Sequence, residues 1–304
     1  MFIYGDEYDL GWTTHVFPTD KYRRVHEALI VKGAVGPEEF LPPRKATREE
    51  LLLVHTEAYL DELEELTKTP NMAIARFEAP LDRKALDAIY YATGGSIIAV
   101  TEAVKTNSAC VNLGGGFHHA YPEHGEGFCF INDIAVSIRA CQKQGLVKNV
   151  LVVDTDLHQG NGTAKIFEHD DSVFTLSIHQ ERLYPPKENG SLNIGLDNHT
   201  GDDDYLDLLT DGLDRALQSG EFDLVYYVAG ADPYVGDKLG DLDLTKAGLA
   251  SRDKLVLDTA QLLKLPVAAV FAGGYANDTQ DVVEIHAELC RQVKDFNITR
   301  RVSA

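Results

Sequence analysis

The chain has 304 residues, of which 44% are hydrophobic and 25% are charged, and its formal net charge is −20. This composition excludes a disordered chain, a collagen-like repeat and a disulfide-stabilised scaffold, and it allows a sizeable buried core. The acidic charge disfavours nucleic acid as a direct partner and suits a cationic substrate, although simple solubility explains it at least as well.

Cysteine usage and hydropathy favour a protein of the cytoplasm over a secreted or membrane protein. Four cysteines, none in a CxxC pair, lie in or beside apolar segments, which predicts reduced thiols in a cytoplasmic protein. No apolar run approaches the roughly 18 residues that span a bilayer, so we expect no membrane partner. The loop-like stretches 68–83 and 185–204 do not resemble interdomain linkers. We therefore expect a single domain over 1–304 and leave its oligomeric state open.

Short apolar runs alternate with amphipathic stretches along the chain. The runs predict strands, buried on both faces, at 2–4, 109–113, 149–154, 173–178, 224–229 and 267–272. The amphipathic stretches predict helices at 86–105, 132–144, 164–169, 203–218, 246–263 and 279–294. This alternation predicts an α/β fold in which one parallel sheet is flanked by helices on both faces.

Polar side chains end or follow five of these strands. In chain order they are His118 and His119, then Asp154, Asp156 and His158, then His179, Asp232 and Tyr275. A lone polar residue at a strand end is usually a turn or helix cap, but five such positions without a Lys or Arg are hard to explain in that way. Parallel sheets bind ligands at the carboxyl ends of their strands, so the pattern predicts a functional site at that edge.

Asp156, His158 and Asp232 are the candidate metal ligands. Asp156 and His158 are separated by one residue, so in an extended segment their side chains point the same way. Asp232 can supply a third ligand, and the alternative is a turn residue before Pro233. Three protein ligands leave room for water and substrate, which is typical of a catalytic metal, and this donor set suits Zn²⁺, Fe²⁺ or Mn²⁺.

Three further positions extend this site. Asp154 lies two residues before Asp156, so in an extended segment both side chains point to the same face, and we expect the Asp154 carboxylate to orient the imidazole of a neighbouring histidine. His118 and His119 follow three glycines, and adjacent side chains in an extended chain point apart, which predicts two different roles for them. Tyr275 follows Gly273 and Gly274, where a flexible turn could aim its hydroxyl at a polarised carbonyl.

Five motifs occur in order along the chain: GGGFHHA at 114–120, GFCFINDIAV at 127–136, VDTDLHQGNGT at 153–163, GADPY at 230–234 and AGGY at 272–275. On these motifs the sequence resembles the histone deacetylase and acetylpolyamine amidohydrolase family, which has an arginase-like fold. The segments HQGNG at 158–162 and HVFPTDKY at 15–22 make it most similar to class IV members and their bacterial relatives.

The resemblance implies a role for each matching residue. Asp156, His158 and Asp232 match the metal ligands, His119 the general base and acid, and Tyr275 the tyrosine that polarises the scissile carbonyl. The remaining catalytic matches are His118, Asp154 and Asn161. The implied acyl-lysine tunnel comprises Gly127, Phe128, Tyr184, Leu239, Gly273 and Gly274. A structural K⁺ is implied at the carbonyls of Asp154, Asp156, His158 and Ile178 and the hydroxyl of Ser177.

Three positions depart from the family pattern. Asn161 stands where most class I members have Asp, and the resemblance implies that Lys21 replaces the class I arginine near the product channel. Leu239 stands where polyamine-specific relatives place an acidic residue, which argues against that specificity.

The resemblance implies a zinc-dependent enzyme, with Fe²⁺ as an alternative in cells, that removes acetyl or longer acyl groups from lysine Nε in proteins. The first alternative is an amidohydrolase acting on acetylpolyamines or other small acyl amines. A non-catalytic acyl-lysine reader or scaffold would be favoured by loss of a ligand or of the tyrosine, and neither is lost. A two-metal ureohydrolase would need further carboxylates, but Gly160 and Ala229 stand at those positions.

Overall fold

Eight strands form one sheet in the computed structural model, which describes residues 1–302. The strands are β1 Phe2–Ile3, β2 Phe40–Leu41, β3 Ala109–Asn112, β4 Val150–Asp154, β5 Val173–Gln180, β6 Leu192–Leu196, β7 Leu224–Val228 and β8 Val267–Val270. Their order is β2-β1-β3-β8-β7-β4-β5-β6, and every pairing is parallel. The predicted parallel α/β fold is confirmed.

Helices connect the strands. They are α1 Lys21–Val31, α2 Arg48–Leu51, α3 Glu57–Leu66, α4 Ile74–Phe77, α5 Arg83–Thr106, α6 Asp133–Lys143, α7 Asn161–Phe167, α8 Asp202–Ser219, α9 Lys246–Leu263 and α10 Thr279–Val302. Several are preceded by an N-cap residue whose side chain accepts a hydrogen bond from the first turn, among them Asp82 for α5, Asn132 for α6 and Thr245 for α9.

Two buried cores lie on opposite faces of the sheet. In β4, Leu151 and Val153 belong to the core that includes residues of α8, α9 and α10, whereas Val150 and Val152 belong to the core formed with α5 and α6. Successive side chains of a strand point to opposite faces, so a strand that is apolar throughout contributes to both cores. The predicted helical cover on both faces is thus present.

The strand register places five residues in one row across the sheet. Asn112 pairs with Val270, Val270 with Val228, Val228 with Asp154, and Asp154 with Ser177. The segments that follow β3, β4, β7 and β8 therefore leave the sheet at one level, along its carboxyl edge, whereas β5 continues past that level to Gln180.

All six predicted strands are present, with ends that differ by at most two residues. The interpretation of 185–204 as loop is wrong in part, because it contains β6 and the start of α8. β6 reads Leu-Asn-Ile-Gly-Leu and buries only alternate residues at the sheet edge, so it lacks a continuous apolar run. The stretch 68–83 likewise contains α4.

Other elements were not predicted or begin elsewhere. β2, α1, α2 and α3 were not predicted, and the helix expected at 164–169 is Asn161–Phe167 instead. The four cysteines are free and buried, as expected. Within residues 1–302, the helices are all too short or too polar to cross a membrane.

Candidate active site

Asp156, His158 and Asp232 converge at the carboxyl edge of the sheet. Asp156 and His158 follow β4 and Asp232 follows β7, the neighbouring strand. One donor atom from each lies within 4.8 Å of the others, and all three residues are buried. His158 Nδ1 is 3.2 Å from Asp156 Oδ1 and 3.3 Å from Asp232 Oδ2. The structure thus brings together the three predicted ligands.

The triad fits a divalent metal ion. Asp232 Oδ2 is buried and has no hydrogen-bond partner among the described residues, so it is an acceptor that lacks a donor or cation. Burial and the nearby Asp156 raise the pKa of Asp232 to about 6. Burial lowers the pKa of His158, but Asp156 and Asp232 outweigh it and raise this pKa to about 10. A cation among these donors would relieve both perturbations, and two carboxylates with one imidazole suit Zn²⁺ or Fe²⁺.

His118 and His119 face each other beside the triad. The expectation that these neighbours point apart is wrong, because their Nε2 atoms are 3.2 Å apart. The chain here is a turn and not an extended segment: Gly115 and Gly116 have φ of 81° and 84°, and the His118 N–H donates to the Gly116 carbonyl. The two imidazoles nevertheless have different partners. His118 Nδ1 lies 2.8 Å from Asp154 Oδ2, and His119 Nδ1 lies 2.7 Å from Asn161 Oδ1.

Their environments also separate the two imidazoles electrostatically. Burial lowers the pKa of His118, but Asp154 and Asp156 outweigh it and raise the pKa to about 9. Burial, together with the charges of His118 and His158, holds the pKa of His119 well below its ordinary value. Near neutral pH the pair therefore combines a charged His118 with a neutral His119.

Tyr275 lies on the loop after β8 and is 7% exposed. Its ring centroid is 6.0 Å from that of Phe17 and 6.1 Å from that of Phe128. Its backbone N–H donates to Asp237 Oδ2 over 2.7 Å. Burial, followed by the charges of Asp232 and Asp156, raises the pKa of the Tyr275 hydroxyl well above its ordinary value, so this group remains a proton donor.

Lys21 holds the same loop from the other side. Its ammonium is buried and donates to the carbonyls of Ala272 and Gly273, over 2.5 and 3.2 Å. It also lies 4.6 Å from the centroid of the Phe17 ring. Burial lowers the pKa of Lys21 to about 8. Helix α1, which the sequence pattern did not predict, therefore ties the chain start to the loop of Tyr275.

Aromatic rings lie beside His119, His158 and Tyr275. The ring of Phe128 is 4.7 Å from that of His15, and the ring of Tyr184 is 5.3 Å from that of His119 and 6.2 Å from that of His158. Gly127, between these groups, has φ of 52°, and a Cβ there would lie 2.6 Å from His119 Cδ2 and 2.8 Å from the Tyr184 hydroxyl. Glycine is required at this position by both backbone and space.

Leu239 and the last glycines lie close to the same loop. The N–H of Leu239 donates to Asp237 Oδ1 over 2.9 Å, so Leu239 and Tyr275 bond to one carboxylate. Leu239 is half-buried against the larger core. Gly273 donates its N–H to Asp156 Oδ2 over 2.9 Å, and Gly274 has φ of 139°.

The residues expected to hold K⁺ lie at the end of β4, in the segment that follows it, and within β5. Ser177 is level with Asp154 in the sheet, and its hydroxyl is 2.9 Å from His179 Nδ1. Ile178 pairs with Ile194 of β6, the strand absent from the sequence prediction.

Buried charges behind the loops were missed by sequence reasoning. Asp133 accepts hydrogen bonds from the N–H groups of Gly116 and Phe117, which fixes the turn before His118. Arg252 is fully buried and donates to the carbonyls of Gly230 and Thr155, over 2.6 and 3.3 Å, which ties together the two segments that carry the metal-ligand candidates.

Arg252 forms a buried ion pair with Asp253. Its Nε and one terminal nitrogen donate to Asp253 Oδ1 over 3.0 and 2.7 Å, and the Tyr227 hydroxyl donates to the same oxygen over 2.5 Å. The only sequence signal for this cluster is an Arg-Asp pair inside a helix that is otherwise partly apolar. Such a pair is usually a solvated surface feature.

The chain is similar to known proteins over most of its length. The sequence profile of the histone deacetylase domain matches residues 15–290. An uncharacterized protein of Picosynechococcus sp. is 40% identical over 282 residues, covering 92% of this chain and 93% of that protein. Histone deacetylase 2 of Arabidopsis thaliana is 30% identical, covering 92% of this chain and 76% of that protein. The crystal structure of an HDAC homolog from Aquifex aeolicus has a TM-score of 0.81 at 24% identity, covering 96% of this chain and 83% of that one, which shows a shared fold.

Proposed function

The chain belongs to the histone deacetylase family, and from this premise we propose that one catalytic domain hydrolyses acyl groups from the Nε of lysine in proteins or peptides. The observation that carries the proposal is the buried Asp156–His158–Asp232 triad beside the His118–His119 pair. A metal site with three protein donors and an adjacent neutral imidazole suits amide hydrolysis by activated water.

Asp156, His158 and Asp232 would hold a divalent ion, and we propose Zn²⁺, with Fe²⁺ as the alternative. When bound, this ion would supply polarisation of the acyl oxygen and a lowered pKa for water. Asp156 is held in place by the N–H of Gly273 and Asp232 by the N–H of Leu157. The donors are therefore oriented by the protein itself.

His119 is the proposed proton acceptor. It is neutral near pH 7, and contact with Asn161 Oδ1 makes its Nδ1 the N–H donor, which leaves the lone pair on Nε2. Nε2 can take a proton from water and later deliver it to the leaving amine. His118 is held by Asp154 through Nδ1, and its Nε2 lies 3.2 Å from that nitrogen.

Tyr275 is the proposed donor to the acyl oxygen. Its hydroxyl stays protonated because burial and the neighbouring carboxylates disfavour the phenolate. Hydrogen bonds from the Tyr275 N–H to Asp237 and from Lys21 to the carbonyls of Ala272 and Gly273 fix the loop before substrate binds. A donor fixed in this way stabilises negative charge on the oxygen as the carbonyl is attacked.

The walls of the site suit an aliphatic amine stem. We propose that Phe128 and Tyr184, with Gly127 between them, line the passage for the lysine side chain, together with Gly273 and Gly274. Leu239, which shares Asp237 with Tyr275, is the proposed gate residue, and its apolar side chain suits a peptide better than the distal ammonium of a polyamine. We also propose that the carbonyls of Asp154, Asp156, His158 and Ile178 and the hydroxyl of Ser177 hold K⁺.

One experiment tests the proposal: parallel hydrolysis of an acetyl-lysine peptide, longer acyl-lysine peptides and N-acetylspermidine by a single metal-loaded preparation. We expect the peptides to have the higher kcat/KM. Tyr275→Phe should retain metal and melting temperature while kcat falls by about 10²-fold or more. Tyr90→Phe is the matched control, because it removes a hydroxyl that contacts Glu64 on the outside of α5. Unchanged kcat in Tyr275→Phe would contradict its role, and preference for acetylspermidine would contradict the substrate class.

A further inference from the structure

A chain of hydrogen bonds runs outward from His119 to a carboxylate that belongs to none of the motifs. His119 contacts Asn161 Oδ1, and the Asn161 amide nitrogen donates to Glu126 Oε1 over 2.6 Å and to the Tyr121 hydroxyl over 3.0 Å. Asn161 is buried, and Glu126 is half-buried. Glu126 has no ion pair with any residue in the range 1–302. Its carboxylate accepts hydrogen bonds from the amide of Asn161 and from one hydroxyl, that of Tyr184.

The chemistry of Glu126 decides which end of the Asn161 amide faces His119. A carboxylate oxygen accepts hydrogen bonds, and Glu126 Oε1 accepts from the NH₂ group of Asn161. The amide oxygen is then the atom that faces His119 Nδ1, and an oxygen only accepts. Nδ1 must carry the proton, and the lone pair of the ring must lie on Nε2, the nitrogen beside His118.

Tyr121 alone does not impose this order. Its hydroxyl accepts from Asn161 and is 3.3 Å from Glu188 Oε1, and a hydroxyl can rotate to donate instead. With Glu126 absent, the amide can turn over and present NH₂ to His119. That orientation favours a proton on Nε2 and removes the lone pair from the site.

The same oxygen of Glu126 also accepts from the hydroxyl of Tyr184 over 3.0 Å. The Tyr184 ring contacts the ring of His119, and Gly127 follows Glu126 directly in the chain. One carboxylate oxygen thus holds both the amide behind His119 and an aromatic ring of the proposed passage.

We propose that Glu126 is a positioning residue that sets the proton of His119 on Nδ1 by fixing the amide of Asn161. The inference rests on the proposed function in one respect, the role of His119 as proton acceptor. It concerns the point at which the chain departs from the family pattern: an amide replaces a carboxylate beside the imidazole, and the carboxylate lies one hydrogen bond further out.

The test is Glu126→Ala, with Glu123→Ala as the matched control in the same loop. The Glu123 side chain is 64% exposed, and its ion-pair contact is with the adjacent His124 at the surface, so its removal should leave kcat unchanged. Glu126→Ala should lower kcat by about 10- to 100-fold, with KM within about threefold. Melting temperature and bound metal should match the wild type, because the side chain is not part of either core.

A direct readout of the tautomer needs no turnover. Two-bond ¹H–¹⁵N correlation spectra of metal-free protein labelled in histidine distinguish a proton on Nδ1 from one on Nε2, and His119→Gln assigns the signals. We expect the Nδ1–H form in the wild type and a shift toward Nε2–H in Glu126→Ala. A wild-type pattern and wild-type kcat in Glu126→Ala would overturn the proposal.

Asn161→Asp should rescue the kcat of Glu126→Ala. A carboxylate at 161 accepts from Nδ1 whichever way it turns, and it would stand beside the carboxylate of Glu126. In that background Glu126→Ala should leave kcat unchanged or raise it. An equal fall in both backgrounds would indicate a merely structural role and overturn the proposal. If His119→Gln retains full activity, the proposed function fails, while the tautomer spectra still decide the role of Glu126.

Discussion

Replacing Arg252 by Met should destabilise the protein strongly, although the residue lies in a helix and touches no substrate. The change leaves Asp253 buried with the Tyr227 hydroxyl, and it removes the donors to the carbonyls of Gly230 and Thr155. Breaking a buried ion pair by deleting one partner costs about 3–5 kcal/mol. An unfolding entropy of about 2.1 cal/mol/K per residue gives about 0.64 kcal/mol/K for 304 residues. The expected fall in Tm is therefore about 5–8 °C.

The loss of stability in Arg252→Met should depend on pH. Burial raises the pKa of Asp253, and without Arg252 it should rise further. An acid whose pKa is higher in the folded state than in the unfolded state destabilises the fold when it is ionised, so the defect should shrink as pH falls from 7.5 toward 5. Calorimetry of the metal-free variant over this range measures the effect without interference from metal binding.

Two further variants sharpen the test. Arg215→Met removes an exposed arginine of α8 that pairs with Asp211, and its Tm should change by less than about 1 °C. Arg252→Met combined with Asp253→Leu should recover more than half of the loss, because an apolar pair can replace a buried ion pair at little cost. A Tm for Arg252→Met within about 2 °C of the wild type at pH 7.5 would refute the reasoning.

The remaining predictions concern the metal and the gate. Asp232→Ala should lose metal and activity together, and metal analysis of the wild type should find one tightly held divalent ion per chain; two stoichiometric ions would contradict the single-site interpretation. Because His158 has a pKa of about 10 in the absence of metal, metal binding should release about one proton between pH 7 and 9 and strengthen with pH, as titration calorimetry in buffers of different ionisation enthalpy can measure. An affinity independent of pH would count against this. Leu239→Glu should raise the kcat/KM ratio of acetylspermidine to acetyl-lysine peptide by about two- to fivefold, the equivalent of about 0.5–1 kcal/mol for an exposed charge pair; an unchanged ratio would remove Leu239 from the gate.

The parts of the fold that sequence predicts well are those with a continuous local pattern. β4 is apolar up to its last residue, Asp154, and β7 is apolar or aromatic throughout, because both faces of these strands are covered. β6 and β2 lack this signal, since one alternates at the edge and the other has two residues. Their pairing depends on the neighbouring strand, which local composition does not describe.

The candidate site shows the same division. The residues at strand ends could be found because the carboxyl ends of parallel strands lie along one edge of the sheet. The sequence alone therefore predicts that Asp156 and Asp232 lie close together. The prediction that His118 and His119 point apart was wrong because glycine turns, and not an extended chain, set the directions of their side chains. Glu126, Asp133 and Arg252 act through contacts across 16 to 97 residues of sequence, and a single charge in a loop or helix carries no periodic signal.

The strand order has a consequence for biosynthesis. Among the strands within residues 1–302, β8 is the last to leave the ribosome, yet it lies between β3 and β7 at the centre of the sheet. Until it is inserted, the chain can form two half-sheets, β2-β1-β3 and β7-β4-β5-β6, with no strand pairing between them. The histidine loop belongs to the first half and the three metal-ligand candidates to the second. A nascent chain that ends before residue 267 thus holds the two groups on separate sheets, and insertion of the final strand is the event that unites them.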